Sequence, residues 1–396
     1  MATLNEATHP AFLGGLSCQE FLDCHWQKAP LHVANAFPEW VDFLTPDELA
    51  GFALESEVES RIIREHTPTS WELQHGPFDE ALFQSLPETN WTLLIQALDH
   101  YIPELAQLLD QFNFLPQWRV DDLMMSYAVP GGSVGPHYDY YDVFLIQIRG
   151  QRRWQIGQAC NDSTPILENL PIRVLRDFQP SDTWTVNPGD VLYLPPGIAH
   201  HGVALDDQCM TLSVGFRAPA WSEVISEYCY TIAGQMGGEE RYCDPDIQAR
   251  GITTEHAGIL SSADVDRFQQ HLRRLIEDRG TLTRWLGSYL TLPKYEHLPP
   301  QTCDLDQAEL AASLNHDALF QRDENSRFLW TGTSPQELYV NGHPLEFPAA
   351  AAELAQRLCA QRQFYGHELT PLMNQPAAFE WLLSLMHQGL VYRYDN

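Results

Sequence analysis

The chain has 396 residues, of which 44% are hydrophobic and 11% aromatic, so it is long enough for two or three packed domains and too apolar for a disordered protein. Its formal net charge is −30, which argues against non-specific nucleic-acid binding, because such binding relies on Lys and Arg to neutralise phosphates. The same charge favours a basic partner through long-range attraction.

The sequence gives no indication of a membrane span or a signal peptide. It contains no run of 18 or more apolar residues, and residues 1–8 lack a basic segment. The eight cysteines form no Cys-x-x-Cys pair, which favours reduced thiols over zinc ligands or disulfides. We therefore expect a cytoplasmic protein.

The first informative strand is predicted at Met124–Tyr127, and a turn-forming run of Val, Pro and Gly follows it. This run leads to His137 and Asp139, which we expect on a strand, where residues two apart point the same way and Tyr138 points away. Chance alone gives about two His-x-acid pairs in a chain of this composition, so the pair by itself is weak evidence of a metal site.

The surroundings of the pair strengthen the metal-site interpretation. Short strands with Gly and Pro corners, typical of an antiparallel roll, are predicted at residues 142–149, 152–156, 191–194 and 210–216. A Pro-Pro-Gly corner then presents His200 beside His201, and both are candidates for a third ligand, although strand alternation turns His201 away. Two imidazoles and a carboxylate on one face leave positions open on an octahedral iron.

Arg152 and Arg153 are adjacent on a predicted strand, so at most one of them should face the interior of the roll. The inward guanidinium would offer paired hydrogen-bond donors to a carboxylate. An arginine side chain entering the site as substrate would seek carboxylates and aromatic faces. The candidate substrate-binding residues near the proposed ligands are Asp122, Tyr138, Tyr140 and Asp142.

These residues resemble the cupin-like JmjC oxygenases and, within them, the bacterial ribosomal oxygenases, which hydroxylate an arginine of the sixteenth large-subunit ribosomal protein. The similarity covers nearly the whole chain, including segments 21–30, 46–51, 121–124, 135–139 and 213–219. The resemblance implies an α+β fold with a double-stranded β-helix (jelly roll) core. It also implies a division into a JmjC domain with N-terminal helices, a helical dimerisation segment and a winged-helix-like domain, which we place at residues 1–218, 219–293 and 301–396.

The resemblance also implies the chemistry. The chain would be an iron(II)- and 2-oxoglutarate-dependent protein arginine hydroxylase that consumes O2 and releases succinate and carbon dioxide. His137, Asp139 and His200 would hold the metal, Arg152 would anchor 2-oxoglutarate, and Ser126 would supply it with a hydroxyl group. No further catalytic residue is implied. The expected partners are a basic ribosomal protein and a second copy of the chain.

Helical periodicity begins after the roll. Ser261 predicts the start of a helix whose apolar positions include Val265 and Phe268, and we expect Gly280 to end it. Trp285 continues an apolar surface with no obvious partner in the chain. Packing on the roll and a dimer interface both remain open.

The last part of the chain begins with a predicted linker at residues 293–300. Asn341-Gly342 predicts a hairpin, Asn374 is expected to cap the last helix and Gly389 to end it. The strands are predicted at 327–330 and 337–340 and the helices at 348–362 and 376–388, which is compatible with a winged helix. The last helix is apolar and not basic, so a structural or protein-binding role is favoured over DNA binding.

Two other functional classes remain open at this point. One is a JmjC oxygenase with a different target, such as a histidine hydroxylase or a lysine demethylase. The other is a non-enzymatic scaffold that keeps the cupin fold.

Overall fold

The computed structural model describes residues 9–250, 258–295, 305–316, 318–332 and 335–394. The chain divides into two compact units, of which the first comprises residues 1–218, 293–328 and 347–396, and the second residues 219–292 and 329–346. Residues 1–8, on which the expectation about a signal peptide rests, and residues 296–300 of the predicted linker lie outside the described residues.

The N-terminal part of the first unit is mainly β-structure with short helices. The helices are α1 Cys18–Cys24, α2 Pro46–Phe52, α3 Glu80–Ser85 and α4 Pro103–Leu108. The strands are β1 Leu31–Val33, β2 Ser60–Thr67, β3 Ser70–His75, β4 Trp91–Ile95, β5 Val120–Ala128, β6 Val143–Arg149, β7 Arg152–Ala159, β8 Asp182–Val186, β9 Val191–Leu194, β10 Ile198–Ala204 and β11 Cys209–Phe216.

Two antiparallel sheets face each other in this part. The larger has eight strands in the order β1-β9-β6-β11-β5-β4-β2-β3, and the smaller has the order β10-β7-β8. Val143 and Leu145 of β6 pack against Trp154 and Ile156 of β7 between the layers. The predicted antiparallel roll is therefore confirmed, with the strands close to the predicted positions.

The other face of the large sheet packs against the N-terminal segment. Phe144 of β6 lies 5.6 Å from Phe21 of α1 and 5.0 Å from Phe112, measured between ring centroids. Alternation along β6 thus sends odd-numbered residues into the roll and even-numbered residues into this aromatic core. Helix α1 begins where it does because the Ser17 hydroxyl and the Glu20 carboxylate form a capping box.

Helices and short strands alternate after residue 218. In chain order they are α5 Trp221–Gln235, α6 Ser262–Glu277, α7 Arg279–Thr291, α8 Gln307–Asn315, β12 Leu319–Arg322, β13 Phe328–Trp330, β14 Leu338–Val340, β15 His343–Leu345, α9 Ala352–Ala360, β16 Gln363–Tyr365, α10 Gly366–Leu369, α11 Pro376–His387 and β17 Val391–Tyr394. No helix among the described residues combines the length and the apolar character needed to cross a lipid bilayer.

The second unit corrects two expectations. Gly280 does not end a helix, because α6 stops at Glu277 and the Asp278 carboxylate accepts the Gly280 N–H at the start of α7. Trp285 is not without a partner, since its ring lies 5.0 Å from that of Tyr228 on α5. Helices α5 and α7 therefore share a small aromatic core within this unit.

The C-terminal part of the first unit contains the three-stranded sheet β16-β12-β17 beside helices α8, α9 and α11, so the predicted mixture of helices and strands is confirmed. Asn374 does not cap α11, because its amide donates to the Pro371 carbonyl while Gln375 occupies the N-cap without a side-chain bond. Gly389, with φ of 70°, follows α11 as predicted. In the other unit, Asn341 and Gly342 both have positive φ in the predicted hairpin.

Candidate active site

A cavity of about 380 Å³ opens in the interior of the roll. Its walls come from the inward-facing residues of both sheets, because residues two apart on a strand face the same side. These residues include Asp122, Met124 and Ser126 of β5, Thr211 and Ser213 of β11, and Arg152 and Trp154 of β7. Every described residue that lines the cavity belongs to the first unit.

The structure brings His137, Asp139 and His200 together at this cavity. The Asp139 carboxylate oxygen lies 3.7 Å from Nε2 of His137 and 3.5 Å from Nε2 of His200. The three potential ligand atoms all lie within 4.8 Å of one another. His137 is not on a regular strand as expected, because this segment forms only an isolated antiparallel bridge with His200 on β10.

Backbone carbonyl groups orient both imidazoles. Nδ1 of His137 lies 2.9 Å from the Gly135 carbonyl oxygen, and Nδ1 of His200 lies 2.9 Å from the Ile198 carbonyl oxygen. An Nδ1–H that donates to these carbonyls leaves the Nε2 lone pair free to face Asp139. Burial, reinforced by the nearby His137, lowers the pKa of His200 to about 4, so this imidazole is neutral near pH 7, as a metal ligand must be.

His201 lies on the other side of β10. It pairs with Gln155, and its ring lies 6.0 Å from that of Phe178. Burial, followed by the positive influence of His137 and Arg153, lowers its pKa to about 4 as well. Because the two neighbours have similar pKa shifts, their orientation and not their titration distinguishes His200 from His201.

Arg152 is a buried cation in the same cavity. Its side chain is 4% exposed, Nη2 lies 3.4 Å from the Ser126 hydroxyl, and Nε lies 3.4 Å from Sγ of Cys209. Within the described parts of the chain, no carboxylate lies within ion-pairing distance of this guanidinium. Arg153, by contrast, is exposed. The cavity therefore contains a buried positive charge that calls for an anion.

Trp154 forms the wall between Arg152 and the imidazoles, and sequence reasoning did not identify it. Its ring lies 5.6 Å from the Arg152 guanidinium carbon and 5.9 Å from the His200 ring. Gly202 on β10 makes this position possible, since a Cβ there would lie 2.6 Å from the indole. The register that places Gly202 opposite Trp154 is visible only in the folded sheet.

Asp121 and Asp122 form an acidic corner of the cavity. The Tyr295 hydroxyl donates to Asp122, and the Lys294 ammonium lies 2.7 Å from the Asp121 carboxylate and 3.9 Å from that of Asp122. Burial raises the pKa of Asp122 to about 6, while Lys294 acts in the opposite direction. Lys294 and Tyr295 are thus part of the site and not free linker residues, which the sequence gave no signal to foresee.

Tyr138 and Tyr140 line the cavity but have other partners for their hydroxyl groups. Nη2 of Arg173 donates to Tyr138 at 3.2 Å and to Tyr140 at 3.3 Å, and its guanidinium lies over both rings. The Tyr140 hydroxyl also donates to Asp162, and that of Tyr138 to the Asn161 carbonyl. The two residues therefore offer ring surfaces to the cavity and not free hydroxyl groups.

Asp142 is the candidate that the structure separates from the others. It is 0% exposed, accepts from the Tyr193 hydroxyl at 2.6 Å, and pairs with Arg119 at 3.2 Å. It precedes β6 and faces the aromatic core with the even-numbered residues, whereas Tyr141 and Val143 line the cavity. The expectation that Asp142 binds substrate is therefore corrected, because a substrate in the cavity cannot reach it.

Family comparisons agree with this architecture. A family model described as the JmjC domain matches residues 107–224, and one described as the ROXA-like winged helix matches residues 274–392. The chain is 34% identical to the ribosomal protein uL16 3-hydroxylase of Escherichia coli K12 over 383 residues, which cover 94% of this chain and 97% of the relative. It is 36% identical to a probable ribosomal oxygenase of Haemophilus influenzae over 394 residues, covering 95% and 94% of the two chains.

The fold also matches a solved structure with bound ligands. A structure of YcfD, a ribosomal oxygenase from Escherichia coli in complex with cobalt and 2-oxoglutarate, superposes with a TM-score of 0.81 at 32% identity. The match covers 96% of this chain and 99% of that chain. The similarity therefore spans the roll, the helices and the C-terminal region together.

Proposed function

The chain belongs to the JmjC-domain ribosomal oxygenases that carry a ROXA-like winged helix, and we propose that it is an iron(II)- and 2-oxoglutarate-dependent arginine 3-hydroxylase of ribosomal protein uL16. Two imidazoles and a carboxylate facing one point are the donor set of non-haem iron(II) oxygenases. When bound, the iron and its co-substrates 2-oxoglutarate and O2 supply the oxidising power for hydroxylation, with succinate and carbon dioxide as by-products.

The residues of the chain would bind and orient these components. His137, Asp139 and His200 would hold the metal, and the carbonyls behind the two imidazoles keep Nε2 directed at it. The Tyr141 hydroxyl hydrogen-bonds Asp139, and burial followed by that carboxylate raises the pKa of Tyr141, so the phenol stays protonated as a donor. The protein thus fixes the ligands before the metal binds.

The observation that carries the proposal is the buried Arg152 without a carboxylate partner among the described residues. A dicarboxylate that reaches the metal with one end would neutralise this guanidinium with the other. Ser126 lies beside Arg152 and can donate its hydroxyl to the same carboxylate. A non-enzymatic scaffold offers no reason to keep a metal-type donor set and an uncompensated cation in one cavity.

The acidic corner supports an arginine as the target. Asp121 and Asp122 already hold the ammonium group of Lys294, so this part of the cavity accepts a cation. The rings of Tyr138 and Tyr140, held by Arg173, would flank the aliphatic part of the side chain. We assign substrate contacts to Asp122, Tyr138 and Tyr140 on this basis, and none to Asp142.

We propose that residues 219–293 form a homodimerisation segment, between the oxygenase domain at 1–218 and the winged-helix-like domain at 301–396. Four apolar side chains on α6 are about half exposed at helical spacing: Val265 48%, Phe268 52%, Leu272 58% and Ile276 57%. A second copy of the chain would cover this stripe. Phe268→Glu should yield monomers in light scattering, while Leu205→Glu, at an exposed apolar site on the roll, should not.

The substrate also determines the proposed location, because a hydroxylase of a ribosomal protein works in the cytoplasm, where ribosomes are made. The experiment that tests the function is 2-oxoglutarate turnover by the iron-loaded protein with and without a uL16 peptide that contains the target arginine. The proposal predicts succinate formation that depends on the peptide. Equal turnover with a histidine or methyl-lysine peptide in place of the uL16 peptide would contradict it.

A further inference from the structure

The cavity has a side wall that the proposed metal and co-substrate contacts do not use. Arg61 and Ile63 of β2, Leu94 of β4 and Gln96 just beyond β4 line it, together with Ile172. The apolar members belong to a cluster that continues beneath the wall. Arg61 and Gln96 are therefore the polar groups of a mainly apolar surface.

Strand register separates this wall from the co-substrate site. Arg61 pairs with Leu94, and Leu94 pairs with Ser126, so the three residues form one row across β2, β4 and β5. Neighbouring strands lie about 4.8 Å apart, which places the backbones of Arg61 and Ser126 about 10 Å from each other. Because Ser126 adjoins Arg152, a molecule anchored by Arg152 leaves the wall at Arg61 free for something else.

Both polar groups on this wall have a buried atom without a partner. In the part of the chain that the structure describes, neither Nε of Arg61 nor Oε1 of Gln96 has a hydrogen-bond partner, although both atoms are shielded from solvent. Gln96 is held by its own backbone N–H, which donates to the Glu59 carbonyl at 2.9 Å, and it lies diagonally across from Arg61. A buried donor and a buried acceptor thus stand side by side, both facing the cavity.

We propose that Arg61 and Gln96 form a subsite for one main-chain peptide group of the substrate, next to the residue that is hydroxylated. The Arg61 Nε–H donates to the substrate carbonyl oxygen, and the Gln96 side-chain oxygen accepts the substrate N–H. This inference rests on the proposed function and extends it from the target side chain to the substrate backbone. Recognition of a peptide group fixes the register of the chain without requiring a particular flanking side chain.

The test uses the full-length iron-loaded protein and measures KM for hydroxylation of the uL16 peptide. Arg61→Met and Gln96→Leu should each raise the peptide KM about 5- to 50-fold, with the KM for 2-oxoglutarate within about twofold of the wild type. Arg64→Met is the matched control: Arg64 is on the same strand but pairs with Glu72, and its Nε is likewise buried without a partner in the described chain. The control should bind the peptide as the wild type does.

Peptides with a single backbone amide replaced by an ester identify the contacted group. One ester position should raise the wild-type KM about fivefold and have no further effect in Gln96→Leu, because the lost N–H is the group that Gln96 binds. Unchanged peptide KM in both variants overturns the subsite, as does an equal loss in Arg64→Met or a parallel rise in the KM for 2-oxoglutarate. If the wild type does not hydroxylate any uL16 peptide, the proposed function and the subsite both fail, so the two failures are distinguishable.

Discussion

His137 and His200 form a two-way backbone bridge: the His137 N–H donates to the His200 carbonyl at 3.0 Å, and the His200 N–H donates to the His137 carbonyl at 2.8 Å. Their rings lie 4.3 Å apart as a result. The backbone therefore brings the two imidazoles together before any metal binds. The side chains themselves contribute little to the core of the roll, which is formed by other residues.

Replacement of a metal ligand should abolish activity without unfolding the protein. His137→Ala or Asp139→Ala should lose hydroxylation and bound iron, while the bridge, made by backbone atoms, remains. Activity, iron content and thermal unfolding, measured on the same preparations, check this prediction. Hydroxylation at the wild-type rate by either variant would contradict the metal assignment.

The two adjacent histidines on β10 should respond differently to substitution. His200→Ala should be inactive, since it removes a ligand, whereas His201→Ala should keep substantial activity because His201 faces away from Asp139. Both side chains are removed from the same strand, so a general effect on stability would affect both variants. An inactive His201→Ala beside an active His200→Ala would show that the wrong imidazole was chosen.

The adjacent arginines on β7 provide a second matched pair. Arg152→Ala should raise the KM for 2-oxoglutarate by about 10- to 100-fold, because a charge-assisted contact contributes about 1.5–3 kcal/mol. Arg153→Ala should change it little, since Arg153 is exposed on the outer side of the strand. Steady-state kinetics with varied 2-oxoglutarate check this, and equal effects of the two substitutions would contradict the assigned orientation.

Strand alternation explains why much of the site could be predicted from sequence. Once a strand is located, its period of two assigns Arg152 inward and Arg153 outward, and a Pro-Pro-Gly corner marks His200. Asp142 was assigned wrongly because closeness to the ligands in sequence was allowed to outweigh the same alternation. It lies on the even-numbered side, with Phe144.

The remainder of the site depends on long-range contacts that no local pattern encodes. Lys294 and Tyr295 reach Asp121 and Asp122 across more than 170 positions of the chain. Arg173 reaches Tyr138 and Tyr140 from a loop without a recognisable motif. The helix ends at Gly280 and Asn374 were misjudged for a different reason, since side chains of neighbouring residues made the caps or used the capping group elsewhere.

Asp122 should make the stability of the protein depend on pH. Burial raises its pKa from 3.8 to about 6, so the folded protein holds this proton more tightly than the unfolded chain between those values. Stability contributed by the protonated carboxyl is present at low pH and is lost as pH rises through about 6. The full difference is about 3 kcal/mol at 1.36 kcal/mol per pKa unit.

Asp122→Asn removes this dependence and should therefore stabilise the protein more at pH 8 than at pH 5.5, by about 1 kcal/mol. Denaturant unfolding of both proteins at both pH values measures the difference. The same variant should bind the uL16 peptide more weakly, because it removes a charge from the acidic corner. A stability difference between the two proteins that is the same at both pH values would show that Asp122 has an ordinary pKa.

The central claim is that the chain hydroxylates an arginine carbon of uL16, and mass spectrometry of a uL16 peptide after reaction with iron, 2-oxoglutarate and O2 tests it most directly. The account predicts the addition of one oxygen atom on a side-chain carbon of the target arginine, with one succinate per product and no formaldehyde. Release of formaldehyde with loss of a methyl group, or oxygen on a histidine and not on the arginine, would contradict it.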